Sequence, residues 1–191
     1  MYTVKNLSKS VVLLVMILLL IPVIYNIIFN GYWDNSKIHF FGTLYTSTDV
    51  TGLLFVPQLS SATKIHHRTV WIFGTLNMIS NYEENGIHRA LVALGFFSGI
   101  PYLVNTYLGM RHLETPYRSK IVDIALYTYV NSVVVNIILQ HLYVFRWVPI
   151  NAISIIYIIL YYLILYDDIK LIQYLYFKYK NPEETIKNKE N

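Results

Sequence analysis

Residues 11–29 read VVLLVMILLLIPVIYNIIF, a run without a single charged side chain. A stretch of that length has one economical home, the hydrocarbon of a bilayer, where about 20 apolar residues make one helical crossing. Five further apolar blocks follow at 38–57, 67–80, 87–109, 121–145 and 148–166. Within hydrocarbon every backbone N–H and C=O must be satisfied inside the segment, so helices are the only economical form for such blocks. The expected fold is therefore all-α: a polytopic membrane helix bundle of about six transmembrane helices. The composition agrees, with 55% hydrophobic and only 14% charged residues in 191.

The six blocks differ in quality. The first has no small-residue cleavage pattern after its apolar core, so it reads as a retained helix and not as a signal peptide. The third, HRTVWIFGTLNMIS, is short for a perpendicular crossing, and its helix is expected to begin nearer Thr63 or to cross a thinned region. Residues 1–10 read as a cytosolic tail, 11–170 as the membrane domain, and 171–191 as a basic tail.

Charge placement gives an independent reading of topology. With six spans, Lys5, Lys9, Lys64, Arg68, Arg111, Arg118, Lys120, Lys170, Lys178, Lys180, Lys187 and Lys189 share one side. Only Lys37, Arg89 and Arg146 fall on the other, together with Asp34, Glu83 and Glu84. Such asymmetry predicts both termini in the cytosol. Because the basic residues cluster at helix ends, anionic lipid is the expected partner and nucleic acid is not. Cysteine is absent, which removes disulfide and thiol chemistry.

Against this apolar background a few polar residues stand out. Asp49 lies mid-way along the second block, where a carboxylate costs about 2.5–3.5 kcal/mol to insert. Gly42, Thr46, Asp49 and Gly52 share one helix face whose small side chains admit close packing, within the chain or in a homodimer. The fourth block carries GFFSG and then Pro101, which cannot donate to the carbonyl of Phe97. A kink is expected there, with Ser98 or Asn105 as the group that satisfies the freed oxygen. The fifth block carries Asn131 and an i, i+4 stripe of Ser132, Asn136 and Gln140 that should face other helices or a cavity. The sixth block is tyrosine-rich, and its YDD reads as an interfacial end.

The adjacent pair His66-His67, set in KIHHRT, falls at the cytosolic mouth of the third helix. Neighbours on a helix diverge by about 100°, so the pair lacks the i, i+4 geometry of a helical zinc site. No metal and no cofactor is expected. One histidine should turn inward toward Asp49 and the other outward to headgroups. Counting rise along the helices, Asp49 and His67 should line one cavity without direct contact.

The stretch STDVTGLLFVPQLSSATKIHHRTVW resembles the centre of the TLC domain, the family of translocating-chain-associated membrane proteins, longevity-assurance ceramide synthases and the neuronal ceroid-lipofuscinosis protein. The matching features are Asp49, Pro57, His66-His67 and Thr69, followed loosely by Ser98, Pro101 and Asn105. The resemblance covers residues 35–145. It implies a multi-span bundle in an endomembrane such as the endoplasmic reticulum, with lipid as ligand. It names His66 and His67 as candidate catalytic residues and makes acyl-CoA a candidate partner. The acidic H-D-x-S-D element of ceramide synthases has no counterpart, since GFFSG keeps Ser98 without a carboxylate. A general base needs a partner to orient it, and none lies near the pair in sequence. The preferred expectation is a protein that binds or senses lipid, with Asp49, Ser98, Asn105, Asn131 and Asn136 lining its site. The alternatives are an N-acyltransferase of ceramide-synthase type using the histidines, and a transport or translocation helper.

Overall fold

The computed structural model describes residues 2–56, 59–111, 118–147, 149 and 151–181. Seven helices form among them: α1 Tyr2–Asn30, α2 Asn35–Phe55, α3 Ser61–Ile79, α4 Arg89–Gly99, α5 Tyr102–Met110, α6 Arg118–Trp147 and α7 Ala152–Lys180. Described residues outside these helices form only turns and short connections. Pro57, Lys187 and Lys189, which figured in the sequence reading, lie outside the described residues.

Local chemistry fixes the helix starts. Asp34 caps α2 by accepting from the backbone N–H of Lys37, and Ser60 caps α3 by accepting from that of Thr63. Asn151 and Ser154 form a reciprocal capping box at the start of α7. Gly31, at φ +64°, takes the left-handed conformation that ends α1 and turns the chain toward α2.

Three helices have the length and apolarity of membrane spans: α1, α6 and α7. The pair α4–α5 makes a fourth candidate, bent by 41° at the break around Pro101. The sequence expectation of a kink is met, but the group that repairs it is neither Ser98 nor Asn105. Ser132 of α6 donates to the Phe97 carbonyl at 2.5 Å, so the neighbouring helix closes the gap that proline opens. α2 and α3 are less apolar and fall below the same threshold among the described residues.

Neighbouring helices run antiparallel. Asn77 of α3 faces His39 and Gly42 of α2, Gly74 faces Thr46, and His67 faces Asp49. Ser10 of α1 bonds the carbonyl of Tyr102 at 3.0 Å and the hydroxyl of Thr106 at 2.5 Å, while Leu7 packs on Gly109. α6 and α7 are tied by Tyr157, which donates to Gln140 at 2.8 Å, and Gln140 in turn donates to the Ala90 carbonyl of α4. Ser132, Asn136 and Gln140 are all buried, as their spacing implied.

The small-residue face of α2 is used inside the chain. A Cβ on Gly42 would meet the Asn77 side chain at 2.5 Å, and one on Gly52 would meet Lys5 Cε at 3.0 Å. Of the two glycines in GFFSG, only Gly99 is a close contact, against Met16 and Ile17 of α1, while Gly95 has open space beside it.

The first and last helices run past the apolar blocks. Residues 2–10 are the first turns of α1, and residues 171–180 continue α7 without a break. A sliding apolar window stops at charge, whereas a helix packed on other helices continues wherever its backbone bonds are kept. Lys9 and Asp167 are thereby carried inside the bundle.

Candidate functional site

Asp49 and His67 meet because the α2–α3 hairpin is symmetrical about its connection. Asp49 stands six residues before the end of α2 at Phe55, and His67 six residues after the start of α3 at Ser61. Antiparallel helices of equal rise set these positions at one level. His67 Nδ1 lies 2.6 Å from Asp49 Oδ1. The expectation of a shared cavity without contact is corrected: α3 begins at Ser61, two residues before the expected start near Thr63, and carries His67 well inside.

A third group completes the cluster. Lys9 Nζ of α1 reaches the same Asp49 oxygen at 2.5 Å. Asp49 is 0% exposed, His67 4% and Lys9 9%. A carboxylate removed from water in this way is tolerated only with a paired charge beside it, and Lys9 is that charge. Sequence reasoning counted Lys9 among the orienting charges of the N-terminal tail. The missed signal was register: Lys5 and Lys9 lie one helical turn apart, on a face continuing through Leu13, Met16 and Leu20, which are buried.

His66 also turns inward. Its Nδ1 lies 3.1 Å from Asp167 Oδ2 of α7, and the ring is only partly exposed. The expectation that one histidine would face headgroups is therefore corrected. The rings stand 5.6 Å apart at 81°, so the two histidines diverge as predicted, each toward its own carboxylate. Next to Asp167, Asp168 accepts from the Tyr129 hydroxyl at 2.6 Å. Thus YDD is an interior feature of a long helix and not its interfacial end.

These groups border a cavity of about 670 Å³ between the N-terminal parts of α1 and α3 and helices α5, α6 and α7. One part of its wall is apolar, from Leu13, Val104, Leu108, Val133 and Leu171. The charged and imidazole groups are Lys5, Lys9, Arg111 and Lys170, His66 and His67, and Asp167 and Asp168. Of the residues predicted to hold lipid, Ser98, Asn105 and Asn136 line the cavity. Asp49 is sealed behind Lys9 and His67. Asn131 does not line it: it is exposed on the outside of α6 and donates to the Tyr127 carbonyl. The turn of one residue along a helix, about 100°, separates it from buried Ser132.

Several buried polar atoms of the cluster lack a hydrogen-bond partner. They are Asp49 Oδ2, both nitrogens of His67, and His66 Nδ1. The short approaches of His66 and His67 to their carboxylates are contacts of charge and distance, without the alignment that a hydrogen bond requires, whereas Lys9 does donate to Asp49 Oδ1. Asp49, His66 and His67 each offer a ligand atom, and these lie within 4.8 Å of one another. The pair still lacks the i, i+4 geometry of a helical zinc site, and it is a carboxylate from another helix that completes the constellation.

Fold and site together define a class: an all-helical bundle with membrane-length helices around a buried, charged cluster. The chain matches no family model, and no curated protein or solved structure matches it.

Proposed function

We propose that this protein is a six-span, TLC-like membrane protein of an endomembrane, the endoplasmic reticulum above all, that binds lipid and thereby influences membrane lipid composition. The observation that carries this reading is the 670 Å³ cavity, which combines an apolar wall with a charged end. Its size lies in the range of small-molecule sites, roughly 300–1,000 Å³, and its two-sided chemistry suits an amphipathic ligand. Strict up-and-down alternation of the helices supports six spans with α4–α5 as one broken crossing. The start of α1, the start of α3 and the later half of α7 share one end, and its basic residues support a cytosolic orientation for it on this reading.

The test is lipid retention. The chain purified in a mild detergent should carry a lipid identifiable by mass spectrometry. Val104→Trp and Val133→Trp, which fill the apolar wall, should lower its amount without unfolding the helices. Equal lipid in the filled variants and the native chain would refute binding in this cavity.

A specific observation favours a second reading, N-acyl transfer from acyl-CoA. Both histidines have the carboxylate neighbour that a general base needs, Asp49 for His67 and Asp167 for His66. On this reading purified protein given acyl-CoA and a long-chain base forms an amide, and His67→Ala abolishes it. Absence of product from folded native protein would refute it.

A further inference from the structure

We infer that Asp49, His66 and His67 form a binding site for a divalent first-row transition ion of the zinc class, and that the Lys9 ammonium holds the same ground when the ion is away. Three observations converge on it. The ligand atoms lie within 4.8 Å of one another, so shifts on the scale of side-chain rotation would bring each to the 2.0–2.2 Å (about) at which zinc is held by nitrogen and carboxylate oxygen. Asp49 Oδ2 and His67 Nε2 are buried without a hydrogen-bond partner, although buried polar atoms are nearly always satisfied. Finally, His67 Nδ1 and Asp49 Oδ1 stand 2.6 Å apart without hydrogen-bond alignment. With Nδ1 unprotonated these are two electron-rich atoms side by side, an arrangement that calls for a shared positive centre. Lys9 Nζ, 2.5 Å from Asp49 Oδ1, supplies one.

The donor set fits this class of ion. Two imidazoles and one carboxylate, with no thiolate in the chain, suit zinc or its neighbours and disfavour calcium, which seeks six to eight oxygens. Asp167, 3.1 Å from His66 Nδ1, stands where a supporting carboxylate orients a ligating histidine and leaves Nε2 for the metal. Lys9, His66 and His67 also line the cavity. The lysine therefore has space to swing aside, and the remaining coordination position opens toward the cavity. The site does not depend on the lipid reading.

The experiment uses the full chain in mild detergent, stripped with chelator and then given zinc or cobalt(II) alone. We expect one zinc per chain by elemental analysis and a visible cobalt spectrum of tetrahedral intensity. Both should be lost in His67→Ala and Asp49→Asn. Asp167→Asn should weaken affinity by about tenfold or more. Lys9→Met is the decisive variant. It should melt below the native chain in chelator, recover when zinc is added, and bind zinc more tightly, because the competing ammonium is gone. The inference is overturned if folded native chain and folded Lys9→Met both bind well under one equivalent. It is equally overturned if binding persists unchanged in folded His67→Ala. If Asp49→Asn or Lys9→Met fails to fold, the native chain and His66→Gln, whose ring is partly exposed, decide by the cobalt spectrum. An unaltered spectrum in His66→Gln refutes the assignment.

Discussion

Lys9→Met isolates the electrostatics of the bundle in a single substitution. Methionine keeps most of the length and apolar stem of lysine, so packing around α1 changes little, while the partner of a wholly buried carboxylate is removed. Breaking a buried pair by deleting one member costs about 3–5 kcal/mol, because the remaining charge is left uncompensated. His67, 2.6 Å from the same oxygen, can supply part of the missing charge when protonated, which places the expected loss near about 3 kcal/mol. Asp49→Asn should cost less, about 1–2 kcal/mol, since the amide oxygen still accepts from Lys9 and the ammonium borders the cavity. The double variant should resemble Asp49→Asn alone, giving a coupling of at least about 2 kcal/mol. Unfolding in mixed detergent micelles with chelator present, followed by helical circular dichroism, measures all four corners of the cycle. A loss below about 1 kcal/mol for Lys9→Met, or simple additivity, would refute the view that Lys9 is the charge that makes Asp49 tolerable.

Other substitutions probe separate parts of the fold. Ser132→Ala should cost about 1–3 kcal/mol by leaving the Phe97 carbonyl without its donor, and amide exchange should quicken around 97–102. Gly42→Ala should destabilise by about 1–3 kcal/mol as its Cβ collides with Asn77. Gly95→Ala, in a helix with open space, should gain up to about 1 kcal/mol in the same melt. At the α2 cap, the Lys37 backbone N–H holds the Asp34 carboxyl below the usual aspartate range. Its contribution is present above the unfolded value and fades as pH falls through the folded one. Protection at the start of α2, taken as exchange relative to the intrinsic rate at each pH, should accordingly fall in acid, and Asp34→Ala should remove that dependence.

How far the sequence reaches can be seen residue by residue. Hydropathy located α1, α6 and α7, and Pro101 marked the break in the fourth block, because these are local properties. Asp49 was conspicuous for the same reason, as a charge whose cost is set by its own surroundings. Its partners were not. Lys9 read as an orienting charge because a lysine near a helix start usually is one. Asp167 and Asp168 read as a helix end because an apolar window closes on any pair of acids. Pairing His66 with Asp167 requires α3 and α7 to be neighbours, and no periodicity within either helix encodes that. Ser132 escaped likewise: its stripe was visible, but its partner is a carbonyl that only the bend of another helix exposes. Asn131 was the opposite error, a polar residue assigned inward that its register turns outward.

The long separation between His66 and Asp167 bears on how the chain is made. Synthesis delivers α2 and α3 early, yet neither has the length and apolarity of a span on its own. Their acid and imidazoles find Lys9 already emerged on α1, but Asp167 is translated about a hundred residues later, on the last helix. A ribosome-bound chain thus passes through a stage in which the α2–α3 hairpin has one of its two electrostatic anchors. If the chain inserts as it is made, an insertion factor or chaperone is the expected host of the hairpin in that interval. A nascent chain halted before α7 should crosslink to such a host through α3, and release should coincide with the arrival of the final helix.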